Sequence, residues 1–199
     1  MKNELVGRRH VALGALAAFA LGLLRAPSAF AKECEGVSLP EQLSVDGKKL
    51  LLNGMGVREA TVFNVNVYVA GLYLENRSND GEKIAASEEL KRMQLVFVRD
   101  VSRADMAEAI GEGFKKTAGG ELGRLQARIE KLKGLLPELK KGDRLSFTYR
   151  PGKGLEVASA KRTGVIEGAD FARAMLLIWL GAHPPNAGLK RGLLGGECG

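Results

Sequence analysis

A chain of 199 residues, 45% hydrophobic and 27% charged, has the makeup of a globular protein, and its net charge of +7 carries no long basic block. Its dispersed cationic pairs, Lys115-Lys116, Lys140-Lys141 and Lys161-Arg162, lack both the aromatic interleaving of a single-strand binder and any DNA-reading motif, which sets nucleic acid aside as a partner. Two histidines and two cysteines are too few for a multi-histidine metal site or a cysteine-rich scaffold.

The chain opens with a basic stretch holding Lys2, Arg8 and Arg9, then the apolar run Val11 to Leu24, then Ala29-Phe30-Ala31. That is the pattern of a signal peptide over residues 1–31, with cleavage between Ala31 and Lys32. The apolar run is 14 residues long, short of the roughly 20 that cross a bilayer as a helix. Arg8-Arg9 also fits part of the twin-arginine export pattern, although ordinary secretory leaders carry the same pair. Removal of 31 residues leaves 168, enough for one domain over 32–199 in the periplasm or outside the cell. The net charge then falls from +7 to +4, since Lys2, Arg8, Arg9 and Arg25 leave with Glu4. Cys34 and Cys198 stay, near opposite ends. Export favours a bridge between them, the alternative being two free thiols at frayed ends. Lys32 and Glu33 stand where small residues would precede a lipid-bearing cysteine.

Gln42 to Val45, Asp46-Gly47 and Lys48 to Leu52 form run, turn and run, a hairpin. Two more strand-like runs follow within Gly54 to Glu75. In the first, Val57 to Phe63, alternation places Arg58 on the face of Ala60 and Val62, opposite Glu59 and Thr61. The second, Asn66 to Leu74, is apolar on both faces apart from Asn66, Tyr68 and Tyr73, as a central strand covered on both sides would be. A guanidinium buried there costs several kcal/mol unless acceptors meet it. Arg58 therefore has an acidic partner, a bound anion or an exit to solvent, or else it lies along the strand edge with its head in water.

After the break at Asn76 to Gly81, Lys83 to Lys91 is expected to be helical and Met93 to Val98 a strand. Ser102, with Asp105 three residues on, caps a helix from Arg103 to about Lys116. Leu122, Leu125, Ile129, Leu132 and Leu136 recur at helical spacing, a helix packed on its own sheet and not one lying on a membrane. Asp143 to Tyr149 and Leu155 to Ala160 flank Pro151-Gly152-Lys153 as a second hairpin. Ala169 to Leu180 is apolar nearly all round and predicts a buried helix, and Asn186 to Leu194 a short final one. The order argues an α+β domain whose antiparallel sheet is covered by helices.

Constellations for catalysis are scarce. If the leader is removed, His10 leaves and His183 remains, beside Pro184-Pro185, as a loop residue or a haem axial ligand. No C-x-x-C, phosphate-cradling glycine loop or nucleophile elbow is found in the sequence, and Glu88-Glu89 lies in a charged, solvated segment. The polar side chains in apolar settings are Arg58, Asn66, Tyr68, Tyr73 and Tyr149.

Gly54-x-Gly56-x-Arg58, Val69-Ala70-Gly71-Leu72-Tyr73-Leu74-Glu75, Val98-Arg99-Asp100-Val101-Ser102, and Leu180-Gly181 through Leu189-Lys190-Arg191 resemble the chalcone isomerase superfamily, most of all its bacterial chalcone isomerase-like branch. The resemblance spans most of residues 39–194. It implies an open-faced β-sandwich, a large antiparallel sheet with helices on one face. The superfamily holds isomerases that close a flavanone ring, plant fatty-acid binders and non-catalytic members, some of them mitochondrial and associated with haem. Arg58 falls where isomerases hold the reacting phenolate oxygen and lipid binders hold a fatty-acid carboxylate. Tyr68, Met106, Gly113 and Ile178 stand where the isomerases carry threonine, tyrosine, asparagine and a serine or threonine.

Loss of those polar partners makes flavonoid turnover unexpected, since each usually contributes a few kcal/mol to transition-state stabilisation. The resemblance therefore implies a non-catalytic cleft for a fatty acid or similar amphipathic carboxylate, anchored by Arg58 and Tyr68 and walled by Met106 and Ile178, with no cofactor expected. The alternatives are an isomerase of the intramolecular lyase type on a conjugated ketone, using Arg58 and Tyr68, and a haem binder whose propionates meet Arg58. The sequence assigns no oligomeric state.

Overall fold

The computed structural model describes residues 31–60 and 65–198. The leader pattern lies outside the described residues, apart from Ala31 and Lys32, which open the first strand. That strand, β1 (Ala31–Cys34), pairs antiparallel with β2 (Val37–Pro40) as a separate hairpin. The main sheet runs β3 (Gln42–Val45), β4 (Lys48–Ala60), β5 (Val65–Leu74), β6 (Lys91–Phe97), β7 (Arg144–Arg150), β8 (Gly154–Ser159) and β9 (Thr163–Ile166). Its seven strands stand in that order, every neighbour antiparallel.

Each connection follows from local chemistry. Asp46 and Gly47 both have positive φ, 53° and 77°, as a two-residue hairpin turn needs to match the twist of its strands. β4 is one strand of 13 residues where the sequence suggested two runs. A register irregularity between Leu52 and Gly54 lets it continue past Asn53, whose amide donates to the carbonyls of Ser78 (2.9 Å) and Leu193 (2.8 Å) and accepts from the Ser78 N–H (2.8 Å).

The helices are α1 (Gly81–Ala86), α2 (Arg103–Thr117), α3 (Leu122–Leu135), α4 (Ala169–Leu180) and α5 (Ala187–Leu193). The Ser102 hydroxyl accepts from the Asp105 N–H (3.0 Å), so the predicted cap starts α2. The helix expected over Lys83 to Lys91 is shorter and earlier. Asp80 caps it at its start, Ser87 is already extended, and Lys91 begins β6.

Among the described residues, these five α-helices cover one face of the sheet. Tyr68, Ala70, Leu72 and Leu74 of β5 and Met93, Leu95 and Phe97 of β6 meet Ile110, Phe114, Phe171, Met175 and Trp179 in the larger core. Val57, Val69, Tyr73 and Val96 point the other way, where the β1–β2 hairpin brings Cys34 and Leu39 over them. β5 is thus buried on both sides, as its apolar run suggested. Further along that second face the sheet is polar: Arg92 donates to Thr148 (2.8 Å), and Arg150 pairs with Asp46 (2.6 Å) and Glu156 (2.9 Å). Among the described residues no helix is long and apolar enough to cross a membrane.

Candidate functional site

β4 and β5 bring Arg58 directly opposite Tyr68. The next register pair is Glu59 with Asn66, so Val67 is an extra residue, a β-bulge. Its consequence is that consecutive residues face the same way. Val67 packs against the helix-side core that contains Tyr68, and only at Val69 does the chain turn to the other face.

Between that part of the sheet and helices α2 and α4 lies a cavity of about 410 Å³. Arg58, Val67 and Tyr68 line it from the sheet, Met106, Ile110 and Gly113 from α2, and Ile178 and Trp179 from α4. His183 and Pro185 join them from the loop after α4, and Asp105, Glu112 and Lys116 add exposed charges along α2. Met106, Ile110 and Gly113 recur at spacings of four and three, one face of the helix. From Asp105 to Lys116 the lining follows α2 for about 16 Å, three turns.

The polar groups at the sheet end are arranged as donors. Arg58 is half-buried, and one guanidinium nitrogen donates to the Glu59 carbonyl. The Tyr68 hydroxyl accepts from the Trp179 indole N–H (2.9 Å), an arrangement that leaves the phenol its own proton to give. Burial raises the pKa of Tyr68, opposed by the Trp179 bond and the charge of Arg58, so the phenol stays protonated at ordinary pH. A fixed cation with a neutral phenol beside it, in a mostly apolar chamber, is matched to an anionic oxygen on an apolar body.

Asn186, in front of α5, steadies this corner. Its side chain donates to the Val57 carbonyl (2.9 Å) and accepts from the Glu59 N–H (3.3 Å), taking up the backbone on either side of Arg58. Gly54 and Gly56 let α5 come that close. A β-carbon at Gly56 would meet the backbone of Leu189, and one at Gly54 that of Gly192.

The four cleft residues named from the sequence, Arg58, Tyr68, Met106 and Ile178, therefore line one cavity, with Gly113 beside them. Other polar candidates lie elsewhere. Tyr73 donates to the Pro40 carbonyl (2.9 Å) on the hairpin side, Asn66 donates to Glu35 (3.2 Å), and Tyr149 donates to Glu88. Cys34 and Cys198 are joined as a disulfide with their Cα atoms 5.9 Å apart. Sequence reasoning missed Trp179 and Asn186 as parts of the site. The signal for Trp179 was its indole N–H inside an apolar helix, which needs an acceptor when buried. Among the described residues no cluster of three His, Cys, Asp or Glu side chains could hold a metal ion.

A family model described as chalcone isomerase-like matches residues 31–195. Among solved structures, a fatty-acid-binding protein of Arabidopsis thaliana superposes with a TM-score of 0.64 at 19% identity, over 80% of this chain and 92% of that one. No curated protein matches the chain in sequence.

Proposed function

The chain belongs to the chalcone isomerase-like family, and we propose that within it the protein is an exported, non-catalytic binder of a fatty acid or similar amphipathic carboxylate. Arg58 holds the carboxylate, Tyr68 donates a second hydrogen bond, and Met106, Ile110 and Ile178 wall the acyl chain. The observation that carries this reading is the convergence of Arg58 and Tyr68 on one chamber of about 410 Å³ whose buried walls Met106, Ile110 and Ile178 are apolar, with Asp105, Glu112 and Lys116 exposed along α2. The similar Arabidopsis structure is of a protein that binds fatty acids, which supports the choice of ligand. Export is supported by the leader pattern and by the disulfide, a bond that persists in oxidising compartments.

Arg58→Ala is expected to weaken binding of a saturated fatty acid about 10- to 100-fold, the worth of a charge-assisted hydrogen bond. Displacement of a fluorescent fatty acid from the full chain measures it. Equal affinity in Arg58→Ala overturns the anchor. A Soret band in the purified protein would replace the ligand with haem, and turnover of a chalcone that is lost in Tyr68→Phe would restore an isomerase.

A further inference from the structure

A second cavity, of about 330 Å³, opens on the same α2–α4 seam. Thr117, Ala118, Leu125, Ala174 and Leu177 line it, with Glu121, Asp170 and Arg173 also contributing. Those charges have partners: Asp170 takes both guanidinium ends of Arg128 (2.8 and 2.7 Å), Glu121 pairs with Arg124 (2.7 Å), and Arg173 with Glu82 (3.6 Å). An alkyl chain entering from the seam would lie on Ala118, Leu125, Ala174 and Leu177, with the exposed, ion-paired Glu121, Asp170 and Arg173 at the rim.

Along the seam, facing residues of the two cavities are one helical turn apart, and Ile178 and its neighbour Leu177 line one cavity each. Gly113 and Ile178 line the first, and Thr117 and Ala174, four residues along α2 and four back along α4, line the second. Ile178 lines the first cavity one turn from Ala174 of the second, packed onto the bare backbone of Gly113. A β-carbon at 113 would lie 2.7, 2.9 and 3.0 Å from Ile178 Cγ2, Cδ1 and Cγ1, so glycine makes the seat and isoleucine fills it. That side chain is rigid, because a β-branched side chain in a helix is confined to essentially one χ1 rotamer. Thr117 fixes the spacing of the helices behind it, its hydroxyl lying within hydrogen-bonding distance of the carbonyls of Gly113 (3.1 Å) and Ala174 (3.3 Å).

We infer that Ile178, seated on Gly113, is the stop that sets the length of acyl chain this protein accepts, and that the second cavity is room it withholds. The inference rests on the fatty-acid reading above. Wild-type protein then prefers acids that end at Ile178, and longer ones must leave methylenes in water or fold back. One helical turn is about 5.4 Å, and an extended chain of carbon–carbon bonds near 1.5 Å covers it with about four carbons.

The test is displacement of 11-(dansylamino)undecanoic acid from the full chain by saturated acids from octanoate to stearate. Ile178→Ala is expected to move the best-bound acid about four carbons longer, with affinity for that acid rising about tenfold over wild type, well within what several newly buried methylenes can supply. Refilling the far cavity in Ile178→Ala/Ala174→Leu is expected to return the optimum to the wild-type length. If Ile178→Ala does not fold, Ile178→Val, which removes only the Cδ1 methyl, is expected to shift the optimum in the same direction by less. A wild type that binds these acids while every folded Ile178 variant keeps its length profile overturns the stop and leaves the fatty-acid reading standing. A wild type that binds none of them overturns both.

Discussion

Lys91 is 1% exposed, yet every proton of its ammonium has an acceptor: the Ile84 carbonyl (2.5 Å), the Ser87 carbonyl (2.6 Å) and the Ser87 hydroxyl (2.9 Å). It thus closes the C-terminal end of α1 and lies over the Tyr149 ring at 5.2 Å. Burial pushes its pKa down to about 8, against the pull of Glu88 and Glu89. Because the folded value lies below the ordinary 10.5, the unfolded chain binds more protons between about 8 and 10.5, and stability rises with pH there. Tyr73 and Tyr149 act the other way. Burial pushes both up to about 12, so the folded chain keeps phenol protons that the unfolded chain loses from about 10, and stability falls above that pH. Urea midpoints are expected to climb from about pH 8 to about 10 and then decline, and Lys91→Met to flatten the climb. A midpoint that is level or falling over that climb in the wild type refutes the assignment. None of this was legible in the sequence, where Lys91 closed a charged segment. Its acceptors belong to a helix end four to seven residues away, and only the actual stop of that helix at Ala86 brings them to it. Arg58 was legible, because a cation among alternating apolar residues must find a partner whatever the fold.

At the scale of elements, α5 lies on β4 with backbone almost against backbone. A β-carbon on Gly56 would stand 2.9 Å from Leu189 Cα and nearer still to its carbonyl oxygen, and no rotamer change relieves a clash with main chain. Gly56→Ala is therefore expected to cost about 1–3 kcal/mol in urea unfolding. It should also weaken ligand binding, since lifting α5 pulls Asn186 from the backbone beside Arg58. Gly123→Ala is the control: that glycine, exposed in α3, meets nothing within 4 Å, and alanine there should stabilise by about 0.5–1 kcal/mol. Equal effects of the two substitutions would dismiss the close approach. Elements were readable where one signal ruled. The nearly all-apolar α4 runs from Ala169 to Leu180 as expected, and Ser102 starts α2. β4 crossed Asn53 and Gly54 against expectation, because Asn53 satisfies its amide with Ser78 and with Leu193, 140 residues away. The bulge at Val67 also left no mark, since it depends on the register between two strands and not on either strand's own alternation.

At the scale of the molecule the two faces of the sheet do different work. The helix face holds the cavity, while the opposite face, under the β1–β2 hairpin, holds the disulfide that joins positions 164 residues apart. Closing so long a loop limits the unfolded chain, and its loss is expected to cost about 2–5 kcal/mol. Cys34 is itself buried beside Leu39, Val57 and Val69, so alanine at both cysteines removes the bridge while leaving a small apolar side chain under the hairpin. The sheet between hairpin and cavity is close-packed, with Val69 on one side and Tyr68 and Ala70 on the other all buried, which keeps the cavity walls in place as long as the domain is folded. Cys34→Ala/Cys198→Ala should thus lower the urea midpoint and leave fatty-acid affinity within about twofold of wild type in folded protein, as independent distant sites behave. Gly56→Ala should change both quantities. If the cysteine variant loses ligand affinity in proportion to its stability, the faces are coupled through α5, whose C-terminal end leads directly to Cys198, and the tail beyond Leu193 is then part of what holds Arg58 in place.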